Sequence, residues 1–131
     1  MSRGIRNNNP GNIRHGDKWQ GLRARQTDDD FCQFTAPEWG IRAMLKILHT
    51  YLRKYGDNTI LRFISRWAPP NENDTERYIA NVSDMTGIAR DAVIDVSHQP
   101  TMTALVTAMI RMENGQQPYA DAVFKKAFEL L

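Results

Sequence analysis

The chain has 131 residues, 41% of them hydrophobic and 24% charged, with a formal net charge of +2. That length and apolar content suffice for one compact domain over residues 1–131, with a second not expected, and the single cysteine, Cys32, excludes an internal disulfide. No stretch reaches the roughly 18 apolar residues of a membrane span, and the N-terminus lacks the apolar run of a secretion signal, so the sequence predicts synthesis in a cytosol, with delivery by other means to any target outside it.

The first element is basic and irregular. Arg3, Arg6, Arg14, Lys18, Arg23 and Arg25 face only Asp17 up to residue 26, a distribution that suits an anionic polymer, whether nucleic acid or cell envelope. Asn7-Asn8-Asn9-Pro10-Gly11-Asn12 is a dense turn signal, since Pro fixes φ, Gly permits positive φ, and Asn side chains bond nearby backbone. Beyond it, Ile13–Arg14, Gly21–Arg25 and Phe31–Phe34 read as short strands, with turns at His15-Gly16-Asp17 and Asp28-Asp29-Asp30. Within the last strand Cys32 reads as a buried structural thiol. A Cys/His nucleophile using His15, His49 or His98 is the alternative, and histidines so scattered argue against a metal site.

Helices follow. The clearest periodicity runs from Pro37 to Gly56, burying Ile41, Met44, Leu45, Leu48, Tyr51, Leu52 and Tyr55. Asn58-Thr59 caps a second helix with Ile60, Leu61, Ile64 and Trp67, ended by Pro69-Pro70. Asp74 or Thr75 caps a third, turning Tyr78, Ile79, Val82 and Met85 inward before Gly87. A short turn or helix around Ala89 to Asp95 leads to Pro100–Gly115, where Met102, Leu105, Val106, Met109 and Ile110 form one stripe. Pro118 opens a last helix carrying Ala122, Val123, Phe124 and Phe128. The predicted fold class is mainly α, with a small N-terminal β element.

Glu113 is the most informative residue. It falls four residues after Met109 on the apolar face, just before the helix stop Asn114-Gly115. Desolvation and the negative end of the helix dipole both favour the protonated carboxyl there, the form a general acid needs. Glu38, at a helix N-terminus, is favoured ionised and suits a cap or base better. Asp28, Asp29 and Asp30 could oppose Glu113 across a cleft and activate water, although they read first as a solvated turn. Glu72 and Glu76 read as part of a cap region. Trp67, Tyr78 and Tyr119 could stack on sugar faces, and aromatics on helical stripes also serve as core.

The run Arg3-Gly4-Ile5-Arg6-Asn7-Asn8-Asn9-Pro10-Gly11-Asn12-Ile13-Arg14, with Trp19-Gln20-Gly21, Phe34, Gly40-Ile41-Arg42-Ala43 and Arg66-Trp67-Ala68-Pro69-Pro70-Asn71-Glu72-Asn73-Asp74-Thr75, resembles a family of small phage and prophage proteins. These are described as virion structural proteins or as peptidoglycan-cleaving, lysozyme-like transglycosylases. A more distant resemblance is to bacterial cell-wall glucosaminidases of lysozyme-like fold. In those, a helix ending in a catalytic Glu-x-Gly precedes an Asn-Asn turn, a small β element, an aromatic and a long helix. Asn8-Asn9-Pro10-Gly11-Asn12-Ile13, Phe34 and the helix from Pro37 are similar to the later part of that order, and Glu113-Asn114-Gly115 to its first part. The likeness requires a circular permutation, which surface-exposed, neighbouring termini make cheap.

The resemblance implies a lysozyme-like single domain that cleaves the β-1,4 bond between N-acetylmuramic acid and N-acetylglucosamine in bacterial peptidoglycan glycan strands. Glu113 would protonate the leaving oxygen, with Glu38, Asp29 and Asp30 as the other carboxylate candidates. Asn8, Asn9, Asn12 and Gln33 would read N-acetyl and hydroxyl groups through their amides, beside Trp67 and Tyr119. No cofactor or metal is implied. Without a convincing second carboxylate, a lytic transglycosylase releasing 1,6-anhydro products is expected over a hydrolase. The protein would act as a monomer on the periplasmic wall, carried in a virion or released by a holin-type partner among other phage virion or lysis proteins. The competing reading is a non-enzymatic virion structural or wall-binding protein. A nucleic-acid binder is disfavoured, because no basic strand interleaved with aromatics and no recognition motif is present.

Overall fold

The computed structural model describes residues 1–131, and its helices follow the capping chemistry of the sequence. They are α1 (Arg3–Arg6), α2 (Pro37–Tyr55), α3 (Ile60–Trp67), α4 (Thr75–Thr86), α5 (Gln99–Asn114) and α6 (Asp121–Glu129). Thr59 and Asp74 each accept a hydrogen bond from the backbone N–H three residues on, which starts α3 and α4 where the sequence predicts. α2 opens on Pro37 and closes on Gly56. At the end of α5, Gly115 takes φ 76° and donates its N–H to the carbonyl of Arg111, which fixes the last turn, and with it Glu113.

α5 is the central element, touching α1, α2 and α4, while α6 packs on α2 and α3 on α4. Its stripe of Met102, Leu105, Val106, Met109 and Ile110 is wholly buried, against Ile41, Met44, Leu45 and Leu48 of α2 in one continuous core. Arg42 ties α2 to the C-terminal end by donating from Nε to the carbonyl of Leu130 at 2.9 Å.

Several expectations are corrected. α1 is a helix of one turn within the segment read as irregular, capped by Ser2 and docked on α5. The N-terminal β element reduces to two isolated antiparallel bridges, Arg14 with Phe31 and Leu22 with Phe34. A side-chain amide braces these short backbone pairings: Gln26 Nε2 donates to the carbonyls of Arg23 and Gln33, and its Oε1 accepts from Gln33 N. Pro118 does not open the last helix, which starts at Asp121, and Ala122 is exposed while Ala127 takes the buried place. Tyr55, Leu61 and Met85 are exposed rather than buried. In α3 it is Phe63 that fills the core.

Candidate active site

The turn from Asn7 to Asn12 is braced from three sides. Asn9, fully buried, donates from Nδ2 to the carbonyls of Ile13 and Cys32, both at 2.9 Å, and accepts from Ile13 N at 3.0 Å. Asn7 donates to Asp28 and accepts from Gln33 Nε2. From below, α2 approaches so closely at Gly40 that a Cβ there would lie 2.1 Å from the carbonyl oxygen of Asn8. The turn is then clamped to the end of α5. Asn114 donates from Nδ2 to the carbonyl of Pro10 at 2.8 Å and accepts from Ser2 Oγ at 2.7 Å.

This clamp brings Asn12 and Glu113 together across 101 positions of sequence. Asn12 Nδ2 donates to Glu113 Oε1 at 3.2 Å, while Oε2 accepts from the Tyr78 hydroxyl at 3.0 Å and from Trp67 Nε1 at 3.4 Å. A carboxyl group offers about four acceptor positions. Three are filled, leaving one on Oε1. Burial first, then the charge of Glu113 and the hydrogen bond to it, hold the Tyr78 hydroxyl well above its ordinary pKa, which keeps it a hydrogen-bond donor to the carboxyl.

Glu113 lines an open cleft of about 360 Å³, within the usual size range of small-molecule sites. One wall carries Gly11, Asn12, Ile13, Arg14 and Phe31 from the N-terminal segment. Ile47 and Tyr51 come from α2, and Trp67, Ala68, Glu72 and Asn73 from the end of α3 and the loop after it. The lining thus combines aromatic faces, amides, one cation and two carboxylates.

Of the predicted site residues, the cleft gathers Glu113, Asn12 and Trp67. Asn9 and Gln33 are buried scaffold: Gln33 Oε1 accepts from Thr27 N and Thr27 Oγ1, and its Nε2 serves Asn7. Asn8 donates to the carbonyl of Phe34. Tyr78 sits behind Glu113 as its support, buried rather than open to a sugar face. Tyr119 lies away from the lining, its hydroxyl covered and unpartnered and pushed by burial up to about 12. Glu38 is half-buried in the first turn of α2 and outside the cleft.

The aspartate run does not oppose Glu113 either. Arg3 donates to both oxygens of Asp28 at 2.6 and 2.7 Å and to Asp30 at 3.0 Å, while Asp29 faces solvent. The Arg3 guanidinium, helped by the Phe31 N–H, holds the Asp28 carboxyl well below the usual carboxylate range. Ile47, Tyr51, Ala68 and Asn73 line the cleft without having been assigned to it, and Glu72 and Arg14 are the charged lining residues that sequence reasoning did not place at the site. No periodic or spacing signal separates either from an ordinary surface charge, and only the tertiary juxtaposition reveals them. Cys32 is buried with its thiol toward the carbonyl of Arg14, and burial pushes its pKa up, which disfavours a thiolate nucleophile. No group of three or more His, Cys, Asp or Glu side chains is gathered as a metal site would need, and no helix is long and apolar enough to cross a membrane.

No protein-family model matches the chain. Over 132 residues it is 46% identical to Protein P5 of Pseudoalteromonas phage PM2, an alignment covering 98% of this chain and 81% of that protein. The chain belongs to the family of phage PM2 Protein P5. The alignment covers nearly the whole chain, the segments that line the cleft among it.

Proposed function

We propose that this protein cleaves the glycan strand of bacterial peptidoglycan, in a lysozyme-like manner, with Glu113 as the general acid. The observation that carries the reading is the carboxyl of Glu113, held by Asn12, Trp67 and Tyr78 at the floor of an aromatic- and amide-lined cleft with one acceptor position left. Three donors fix its direction, so that the open position on Oε1 is aimed into the cleft before substrate arrives. Protonation of the oxygen between N-acetylmuramic acid C1 and N-acetylglucosamine C4 breaks the C1–O bond and releases the 4-hydroxyl. The carboxylate left behind then takes a proton from the group that attacks C1.

Two attacking groups are chemically open. The C6 hydroxyl of the same muramic acid closes a 1,6-anhydro ring and needs no second carboxylate. Water needs a base or a covalent partner, roughly 5 Å from the acid in a retaining enzyme and 6.5 to 9.5 Å in an inverting one. Asp28 and Asp30 are committed to Arg3, but Glu72 lines the same cleft and favours hydrolysis as a specific second outcome. Mass spectrometry of fragments released from purified peptidoglycan decides between them. An anhydro product is lighter by one water and persists in a Glu72→Gln variant. A reducing-end product that disappears with Glu72→Gln assigns that residue to water activation. Absence of any released fragment contradicts the proposal.

A further inference from the structure

The basic N-terminal segment loses most of its apparent uniformity once folded. Arg3 is spent on Asp28 and Asp30, and Arg23 donates to the carbonyls of Phe34 and Arg6. Arg6, Lys18 and Arg25 are exposed outside the cleft. Arg14 is different: it is the one cationic side chain in the lining that holds Glu113. Its backbone is fixed by the antiparallel bridge to Phe31, and its guanidinium lies over the Phe31 ring, 5.1 Å from the centroid. Every ion pair of the molecule lies elsewhere. Its guanidinium therefore sits exposed in the cleft, steadied by an aromatic face, with no carboxylate within 4 Å.

A guanidinium seated over a ring face can keep its planar fork of donors free, the group that pairs with a carboxylate in two parallel hydrogen bonds. Neutral sugar hydroxyls make no use of that charge. Resting on the glycan-cleaving reading above, we propose that Arg14 forms a carboxylate subsite, so that the cleft selects glycan strands bearing a carboxylate beside the scissile bond over neutral chitin-type strands. The carboxylate has two chemical sources on peptidoglycan. One is the lactyl group of muramic acid, free where no peptide is attached; the other is a carboxylate of the attached stem peptide.

The test is calorimetric binding to the Glu113→Gln protein, which retains the cleft and is expected not to turn the probes over. Three tetrasaccharide probes share one backbone: chitotetraose, the N-acetylglucosamine–N-acetylmuramic acid tetrasaccharide with free lactyl groups, and the same tetrasaccharide with its lactyl groups amidated by L-alanyl-D-glutamate. At least one carboxylated probe is expected to bind about 10- to 100-fold tighter than chitotetraose, the range of a charge-assisted pair. That preference should vanish in Glu113→Gln/Arg14→Ala and survive in part with Arg14→Lys. Tighter binding of the free-lactyl probe identifies the lactyl source, and preference for the amidated probe identifies the stem. Equal affinity for all three probes, unchanged by Arg14→Ala, overturns the subsite while leaving glycan binding intact. Failure of all three to bind overturns the subsite and the glycan reading together.

Discussion

Glu113 is held by donors of unequal strength, and that ordering predicts how its neighbours behave. Tyr78→Phe removes the 3.0 Å hydrogen bond without opening a cavity, so stability should fall by only about 1 kcal/mol while peptidoglycan cleavage falls about tenfold, read by urea melts and turbidity clearing. Trp67→Phe, which removes the longer 3.4 Å contact, should cost less activity than Tyr78→Phe. Asn9 carries the opposite signature. Its amide serves three buried backbone groups, so Asn9→Ala should lose at least about 2 kcal/mol of stability through unpaired donors and acceptors. The adjacent asparagines were indistinguishable in the sequence, since an amide suited to reading an N-acetyl group suits bracing a turn equally well. Only folding assigns Asn12 to the cleft and Asn9 to the scaffold.

The helices from α2 to α5 were legible because their boundaries are local chemistry: Pro37 and Gly56, Thr59, Asp74 and Gly87, Gly115. α1 was not, because a single turn has little helical propensity of its own and is held by long-range contacts through Ser2 and Asn114. The segments between residues 14 and 34 were over-read as strands because the alternation signal does not register that each backbone pairing stops at a single bridge, with the Gln26 and Gln33 side chains bracing the loop between. Two outcomes follow from these packings. Gly40→Ala drives a methyl group into the Asn8 carbonyl and should cost about 1 to 3 kcal/mol, with activity falling further because Asn12 moves with the turn. The α1 to Asp28 link gives a pH signature. Asp28 has its carboxyl pKa lowered by folding, so its stabilisation is complete above the unfolded value near 3.9 and is lost as pH falls below it. Chemical denaturation between pH 6 and 2.5 should show wild-type stability dropping below about pH 4, and Asp28→Asn should lack that component.

The arrangement of the entire chain is what makes a site from these pieces. Glu113, the proposed acid, comes from α5 near its C-terminal end, its partner Asn12 from the N-terminal turn, and Trp67 and Tyr78 from α3 and α4. Asn114 brings the N-terminal turn to the end of α5, and α2, α3 and the loop after α3 complete the lining. The position of Glu113 was readable from one helical stripe. The presence of Glu72 and Arg14 beside it was not, because both come from irregular segments whose direction no periodicity sets. The claim on which the rest depends is that this carboxyl performs acid catalysis. The most direct measurement compares the rate of fragment release from purified peptidoglycan by wild type and Glu113→Gln, with matched circular dichroism and melting temperature. The account predicts a loss of about 2 to 4 orders of magnitude; a folded Glu113→Gln protein that releases fragments at the wild-type rate contradicts it.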